Sequence, residues 1–193
     1  IIWMAEGRKY EEVVLMTASL ARLLRQSISN EDEVVPLARE VEYAKGYLTI
    51  QKMRYKDKLE FEIDVEPSIL NIPLIKLVLQ PIIENAIYHG LKYKESKGLL
   101  QVKGFMKDGN AVLQVIDNGV GMDEETLSHI YDKHKVNYHS NGVGVYNVQK
   151  RLKLYYGENY GITYESEKGV GTTATITIPG MQEESCLLYT SDA

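Results

Sequence analysis

The chain has 193 residues, 44% apolar and 25% charged, with a net charge of −5, which is the balance of an ordinary globular domain with an appendage or of two small domains. That acidic charge leaves no electrostatic footprint for nucleic acid or an anionic membrane, so neither is expected as a partner. No apolar run approaches the ~18 residues of a membrane-spanning helix, and the lone Cys186 excludes an internal disulfide or a cysteine-based metal site.

Residues 10–28, "YEEVVLMTASLARLLRQSI", place Val13, Met16, Leu20, Leu23 and Leu24 at helical spacing. A polar break, "SNEDE", leads to a second helix from about Pro36, with Val34, Leu37, Val41, Ala44 and Leu48 as its seam. The pair reads as an antiparallel hairpin that needs another surface; a second copy of the chain is the expected one, with packing onto its own domain as the alternative. From Leu59 the period changes: "LEFEIDV" alternates as a strand, and residues 73–90 read as one long apolar helix. Strands follow near 99–107 and 111–117, then a short helix from Asp123, a polar loop "DKHKVNYHSNGVG", and a helix over 145–156. Strands near 161–166 and 172–178 end the pattern; in the last, Ala174, Ile176 and Ile178 alternate with Thr173, Thr175 and Thr177. The expected fold class is α+β, a two-layer α/β sandwich with helices on one face of a mixed sheet, preceded by the helical hairpin. The divisions are 1–57 for a partial dimerisation hairpin, 58–180 for the main domain and 181–193 for a non-native or disordered tail, since "SCLLYTSDA" resembles a translated transposon end.

Four stretches could carry chemistry. In the apolar helix, Asn85 is a poor helix former among isoleucines; Tyr88, His89 and Lys92 follow at three, four and seven residues and are expected on its face. An asparagine there could hold a hydrated Mg²⁺ against phosphates, while a satisfied buried amide is the plainer role. Asp117 closes a strand in "VIDNGVGM", where a carboxylate can accept from adenine's exocyclic amine and Gly119 and Gly121 let backbone approach a flat base; a simple turn also explains it. In "NGVGVYN", Gly142 and Gly144 open a helix whose free amides suit phosphate, and in "GVGTT", Thr172 could donate to a purine or a water.

In order, these stretches resemble the N, G1, G2 and G3 boxes of the Bergerat ATP-binding fold, shared by sensor histidine kinases, gyrase-type ATPases and Hsp90-like chaperones. "LQPIIENAIYHGL" and "GVGVYNVQKRLKLYYG" further resemble bacterial histidine kinases of the YesM and LytS type, over about residues 1–179. The resemblance implies a protein histidine kinase of a two-component system that binds ATP and Mg²⁺ through Asn85 as metal ligand. Tyr88, His89, Lys92, Asp117, Gly119, Gly121, Gly142, Gly144 and Thr172 would surround the nucleotide, and Glu84 would assist near the metal. The phosphoacceptor histidine would fall just before Ile1, on the dimerising helix. Hydrolysing relatives carry a glutamate where this chain has Pro81, which argues for transfer to a protein acceptor rather than hydrolysis. The implied partners are a response regulator and a second copy of the chain. The implied location is the cytoplasmic portion of a bacterial membrane sensor, whose spanning segments lie outside these residues. An anti-sigma-type serine kinase or a non-catalytic ATP-binding module is the alternative.

Overall fold

The computed structural model describes residues 33–130 and 142–180, with a few positions between 7 and 21. The polar loop over 131–141, the tail over 181–193 and most of the first helical limb over 10–28 therefore lie outside the described residues.

The chain enters through a short strand, β1 (Val34–Pro36), and helix α1 (Leu37–Tyr55). Pro36 takes the position before the first helical turn, and Lys56, at φ +53, ends the helix with its N–H on the Lys52 carbonyl. After β2 (Leu59–Val65), β3 (Pro73–Ile75) pairs antiparallel with β1. Helix α2 (Leu79–Asn85) runs on into a wider i→i+5 turn over Ala86–Leu91. Strands β4 (Gly98–Lys107) and β5 (Asn110–Asp117), helices α3 (Glu124–Ser128) and α4 (Gly142–Tyr156), and strands β6 (Gly161–Glu167) and β7 (Gly171–Pro179) complete the order.

The main sheet runs β2-β4-β5-β7-β6, with β2 parallel to β4 and every other pair antiparallel. Period-two alternation decides its faces. Leu100, Val102, Leu113, Val115, Ala174, Ile176 and Ile178 point to one side and are buried with Ile82, Ile83 and Ile87 of the α2 run and Val145, Val148 and Leu152 of α4. Gln114, Thr173, Thr175 and Thr177 fall on the opposite, more open side. The expected two-layer sandwich with helices on one face is what forms.

Two expectations need correction. The helix expected over 73–90 starts only at Leu79: residues 73–75 are strand, and Leu77 has φ +62. A helix from Pro73 would have put Pro81 in its interior, with no N–H to give and its ring against the preceding turn. Starting at Leu79 leaves Pro81 in the first turn, where no intrahelical donor is needed. The second correction concerns the seam expected to meet another copy. Leu37, Ala44 and Leu48 are fully or almost fully buried inside this chain, and α1 shares one core with α2, β2 and β3. Backbone bonds from Leu37 and Ala38 to the Ile72 and Leu70 carbonyls fix the start of α1 against the domain.

Within α1, Gly46 has open space where a Cβ would project. Gly46→Ala is expected to stabilise the chain by about 0.5–1 kcal/mol through helix propensity, read as a rise in Tm of a few degrees.

Candidate active site

The last residue of β5 faces the helices because the alternation that buries Val115 also buries Asp117. Across the ladder Asp117 pairs with Thr172, at the start of β7. The Asp117 Oδ1 accepts the Gly119 N–H at 2.8 Å. Burial pushes this carboxyl up to about 6; the Gly119 and Thr172 amides and the nearby Lys94 ammonium pull the other way without overcoming it. Lys94 is itself anchored on the Asn118 carbonyl.

Ser166, on β6, organises the Thr172 side. Its hydroxyl accepts the Met122 N–H at 2.9 Å, donates to the Gly171 carbonyl at 3.0 Å and lies 2.8 Å from the Thr172 hydroxyl. Either hydroxyl of the Ser166–Thr172 pair can be the donor, so Thr172 can present a donor or an acceptor to the cavity.

The glycines of "DNGVG" serve a packing purpose beyond the expected one. A Cβ on Gly119 would lie 2.4 Å from the Gly90 carbonyl carbon, and one on Gly121, at φ +62, would lie 1.9 Å from the Glu167 carbonyl oxygen. Both glycines are demanded by protein packed against them. Gly90 completes the contact from the helix side, with its own missing Cβ 2.6 Å from Asp117 Oδ1. Sequence reading passed over Gly90; its signal was a glycine inside an otherwise apolar helical run.

Facing Asp117 is the end of α2. Asn85 closes the helix, and its side-chain oxygen is buried with no hydrogen-bond partner. His89 stands on the same wall, its pKa lowered by burial and then by Lys92, so the imidazole is neutral at physiological pH. Between these two walls lies a cavity of about 550 Å³, with Asn85, His89, Asp117, Gly121 and Thr172 on its lining. The lining also includes Met122, Tyr164, Ala174, and His129 and Ile130 beyond α3, none of which was expected as a site residue.

Tyr88, Glu84, Lys92, Gly119 and Gly144 lie off the cavity lining. Tyr88 receives the Arg54 guanidinium at 3.4 Å and sits beside Tyr47, so it faces α1. The i→i+5 turn rotates each residue by less than the 100° of an α-helix, which carries the third residue after Asn85 off the cavity and keeps the fourth on it. Glu84 accepts from Gln80 at 2.9 Å and also lies on the α1 side, near Tyr47. Lys92 lines a separate small cavity with Tyr55 and Leu91, its ammonium 5.6 Å from the Tyr93 ring centre. Gly119 sits beneath Asp117, against Gly90. Gly142 opens α4, and Gly144 packs against Pro81 outside the cavity lining.

Among the described residues no cluster of three or more acidic, histidine or cysteine side chains could cage a metal. From the α2 wall, the unpartnered amide oxygen Oδ1 of Asn85 is offered to a divalent ion.

Comparison with known proteins agrees with this geometry. A family model for histidine kinase-, DNA gyrase B-, and HSP90-like ATPases matches residues 71–182, and a histidine kinase model matches residues 1–59. The chain therefore belongs to the histidine kinase-, DNA gyrase B- and HSP90-like ATPase family. The relatives it matches are sensor kinases. Sensor histidine kinase YesM of Bacillus subtilis is 32% identical over 95% of this chain and 30% of the relative. Sensor protein LytS of Oceanobacillus iheyensis is 34% identical over 72% of this chain and 24% of the relative. The histidine kinase domain of a blue-light activated kinase from Erythrobacter litoralis EL346 shares the fold at TM-score 0.55 and 15% identity, over 90% of this chain and 73% of that one. The chain thus spans under a third of the length of these curated relatives. No helix among the described residues is long and apolar enough to cross a membrane.

Proposed function

We propose that the cavity binds Mg²⁺-ATP and that the γ-phosphate passes to a histidine encoded upstream of Ile1, for relay to a response regulator. The observation that carries this reading is one cavity with the Asp117–Thr172 pair on one wall and the unpartnered Asn85 Oδ1 on the other.

Asp117 accepts the exocyclic amine of adenine and repels the carbonyl that guanine presents at the same place. His89, neutral and partly exposed, lines the phosphate end without adding a fixed charge. Asn85 fits Mg²⁺, which takes few protein oxygens and keeps waters and substrate phosphates as its other ligands. Held there by Asn85, the ion would offset the charge of the phosphates. Glu84 faces α1 and Pro81 stands where hydrolysing relatives carry a base, so the α2 wall presents no carboxylate to activate water. The site's work is then positioning. The imidazole nitrogen of the acceptor forms a P–N bond as the bond from the γ-phosphorus to the bridging oxygen breaks, and ADP departs with that electron pair.

The wider assignments rest on the same reading. Residues 1–57 function as part of the dimerising segment and residues 58–180 as the ATP-binding unit, although α1 packs with the latter. Self-association falls to the first helical limb, where Tyr10 and Val14 are exposed apolar residues, because the expected seam of α1 is used within the chain. The whole protein is a bacterial membrane sensor, with this portion in the cytoplasm. The histidine kinase match over residues 1–59 disfavours the serine-kinase alternative.

The test mixes this chain with a separately supplied helix bearing the upstream histidine and γ-labelled ATP. Acid-labile phosphate is expected on the helix, and Asn85→Ala is expected to slow its appearance at least about 100-fold. ATP binding without any transfer from the unsubstituted chain would leave a nucleotide-binding module in place of a kinase.

A further inference from the structure

Helix α2 starts without a cap of its own: the residue before it is Val78, whose side chain cannot accept a hydrogen bond. The missing acceptor comes from α1. Glu40 is 1% exposed, and its carboxylate accepts three consecutive backbone amides. Oε1 takes the Leu77 N–H at 2.7 Å; Oε2 takes those of Val78 at 2.9 Å and Leu79 at 3.2 Å. Arg151 of α4 faces the same carboxylate and donates to the Lys76 carbonyl at 2.9 Å, closing the corner from a third element. A buried charge whose partners are the first amides of a helix holds that helix both along its axis and about it.

Asn85 lies six residues beyond Leu79, about 9 Å along the same short helix. Between the cap and the amide there is no loop to absorb movement, and Ile82 and Ile83 are locked in the core. We propose that Glu40 is a positioning residue for Asn85: its hold on the Leu77–Leu79 amides sets where α2 places the Asn85 oxygen within the nucleotide cavity. This rests on the reading of Asn85 as the Mg²⁺ ligand. It gives α1 a direct mechanical connection to metal-dependent nucleotide binding, while the adenine end, built on β5 and β7, stays outside that connection.

The discriminating measurement is ATP affinity with Mg²⁺ and with EDTA. In Glu40→Gln, which keeps a carbonyl acceptor and loses the charge, the affinity in EDTA is expected to stay within about twofold of the unsubstituted chain, because Asp117 and Thr172 are untouched. The gain in affinity on adding Mg²⁺ is expected to shrink at least about fivefold. A purely structural role would lower both affinities together. A Mg²⁺ gain of unchanged size in Glu40→Gln overturns the inference, whereas an unchanged gain in Asn85→Ala overturns the reading beneath it. Should Glu40→Gln fail to fold, hydrogen exchange on the unsubstituted chain decides. The amides of Leu77, Val78 and Leu79 are expected to exchange more slowly with Mg²⁺-ATP than with ATP in EDTA, and equal exchange overturns the coupling.

Discussion

Replacing Asp117 by alanine is expected to raise the Kd for ATP at least about 100-fold, because the site would lose a charge-assisted acceptor from a buried wall and leave the Gly119 and Thr172 amides unpaired. Glu84→Ala, one residue from Asn85 but outside the cavity, is expected to leave the Kd within about twofold. Unchanged binding in Asp117→Ala would sink the adenine assignment. The pH dependence gives a second, independent reading. Burial raises the Asp117 carboxyl from 3.8 to about 6 in the folded chain, and on the proposed reading its ionised form is the stronger acceptor for adenine's amine. ATP affinity is therefore expected to fall about tenfold between pH 7.5 and pH 5. The fold responds with the opposite sign. A raised carboxyl pKa means that the native state holds the proton more tightly, so this group's contribution to stability is complete below about pH 4 and is lost as pH rises through about 6. At neutral pH the ionised carboxylate costs the fold up to about 3 kcal/mol. Asp117→Asn, nearly the shape of the protonated acid, is expected to raise Tm at pH 7.5, to leave it almost unchanged near pH 4, and to weaken ATP binding. Thermal scans at the two pH values, read beside ATP titrations, check all three.

The second large effect is steric. Gly121→Ala would drive a methyl to 1.9 Å from the Glu167 carbonyl oxygen at a backbone φ of +62, and Gly119→Ala would place one 2.4 Å from the Gly90 backbone. Neither neighbour is a flexible side-chain end that could swing aside. Each substitution is expected to destabilise the chain by at least about 3 kcal/mol, measured by denaturant unfolding without nucleotide. Had the glycines served only to admit adenine, Gly→Ala would weaken ATP binding and leave the unliganded fold at full stability. Full stability of Gly121→Ala in the absence of ATP would restore that earlier reason.

These glycines show where sequence reading stopped. Their presence and spacing were legible, because a local motif is a one-dimensional object, but the atoms they avoid belong to residues 29 to 46 positions away. The sheet was readable for the same reason the motif was: period-two alternation in β2 and β7 is written locally, and the order of the strands then brought Asp117 to Thr172. Asn85 and His89 were legible from helical spacing. Tyr88 was misplaced because an i→i+5 turn leaves no clear mark in residue type, yet changes the rotation that spacing arguments assume. The true start of α2 was half legible. Pro81 forbade a helix from Pro73, but the acceptor that permits a start at Leu79 is Glu40, 39 residues upstream and indistinguishable in sequence from a solvated glutamate. The glycine-rich entry to α4 keeps its expected place at a helix start, while the loop before it lies outside the described residues.

The strand order β2-β4-β5-β7-β6 has a consequence for how copies of this chain can meet. A sheet that does not close presents two borders, and unpaired borders invite pairing with another molecule. Here both borders carry acid. The outermost strand on one side holds exposed Glu62 and Asp64, and that on the other holds exposed Glu165 and Glu167. Joining two molecules border to border would line up like charges along the new ladder, which opposes pairing. Continuous sheets across neighbouring molecules, and the fibrous assemblies that grow from them, are thereby disfavoured.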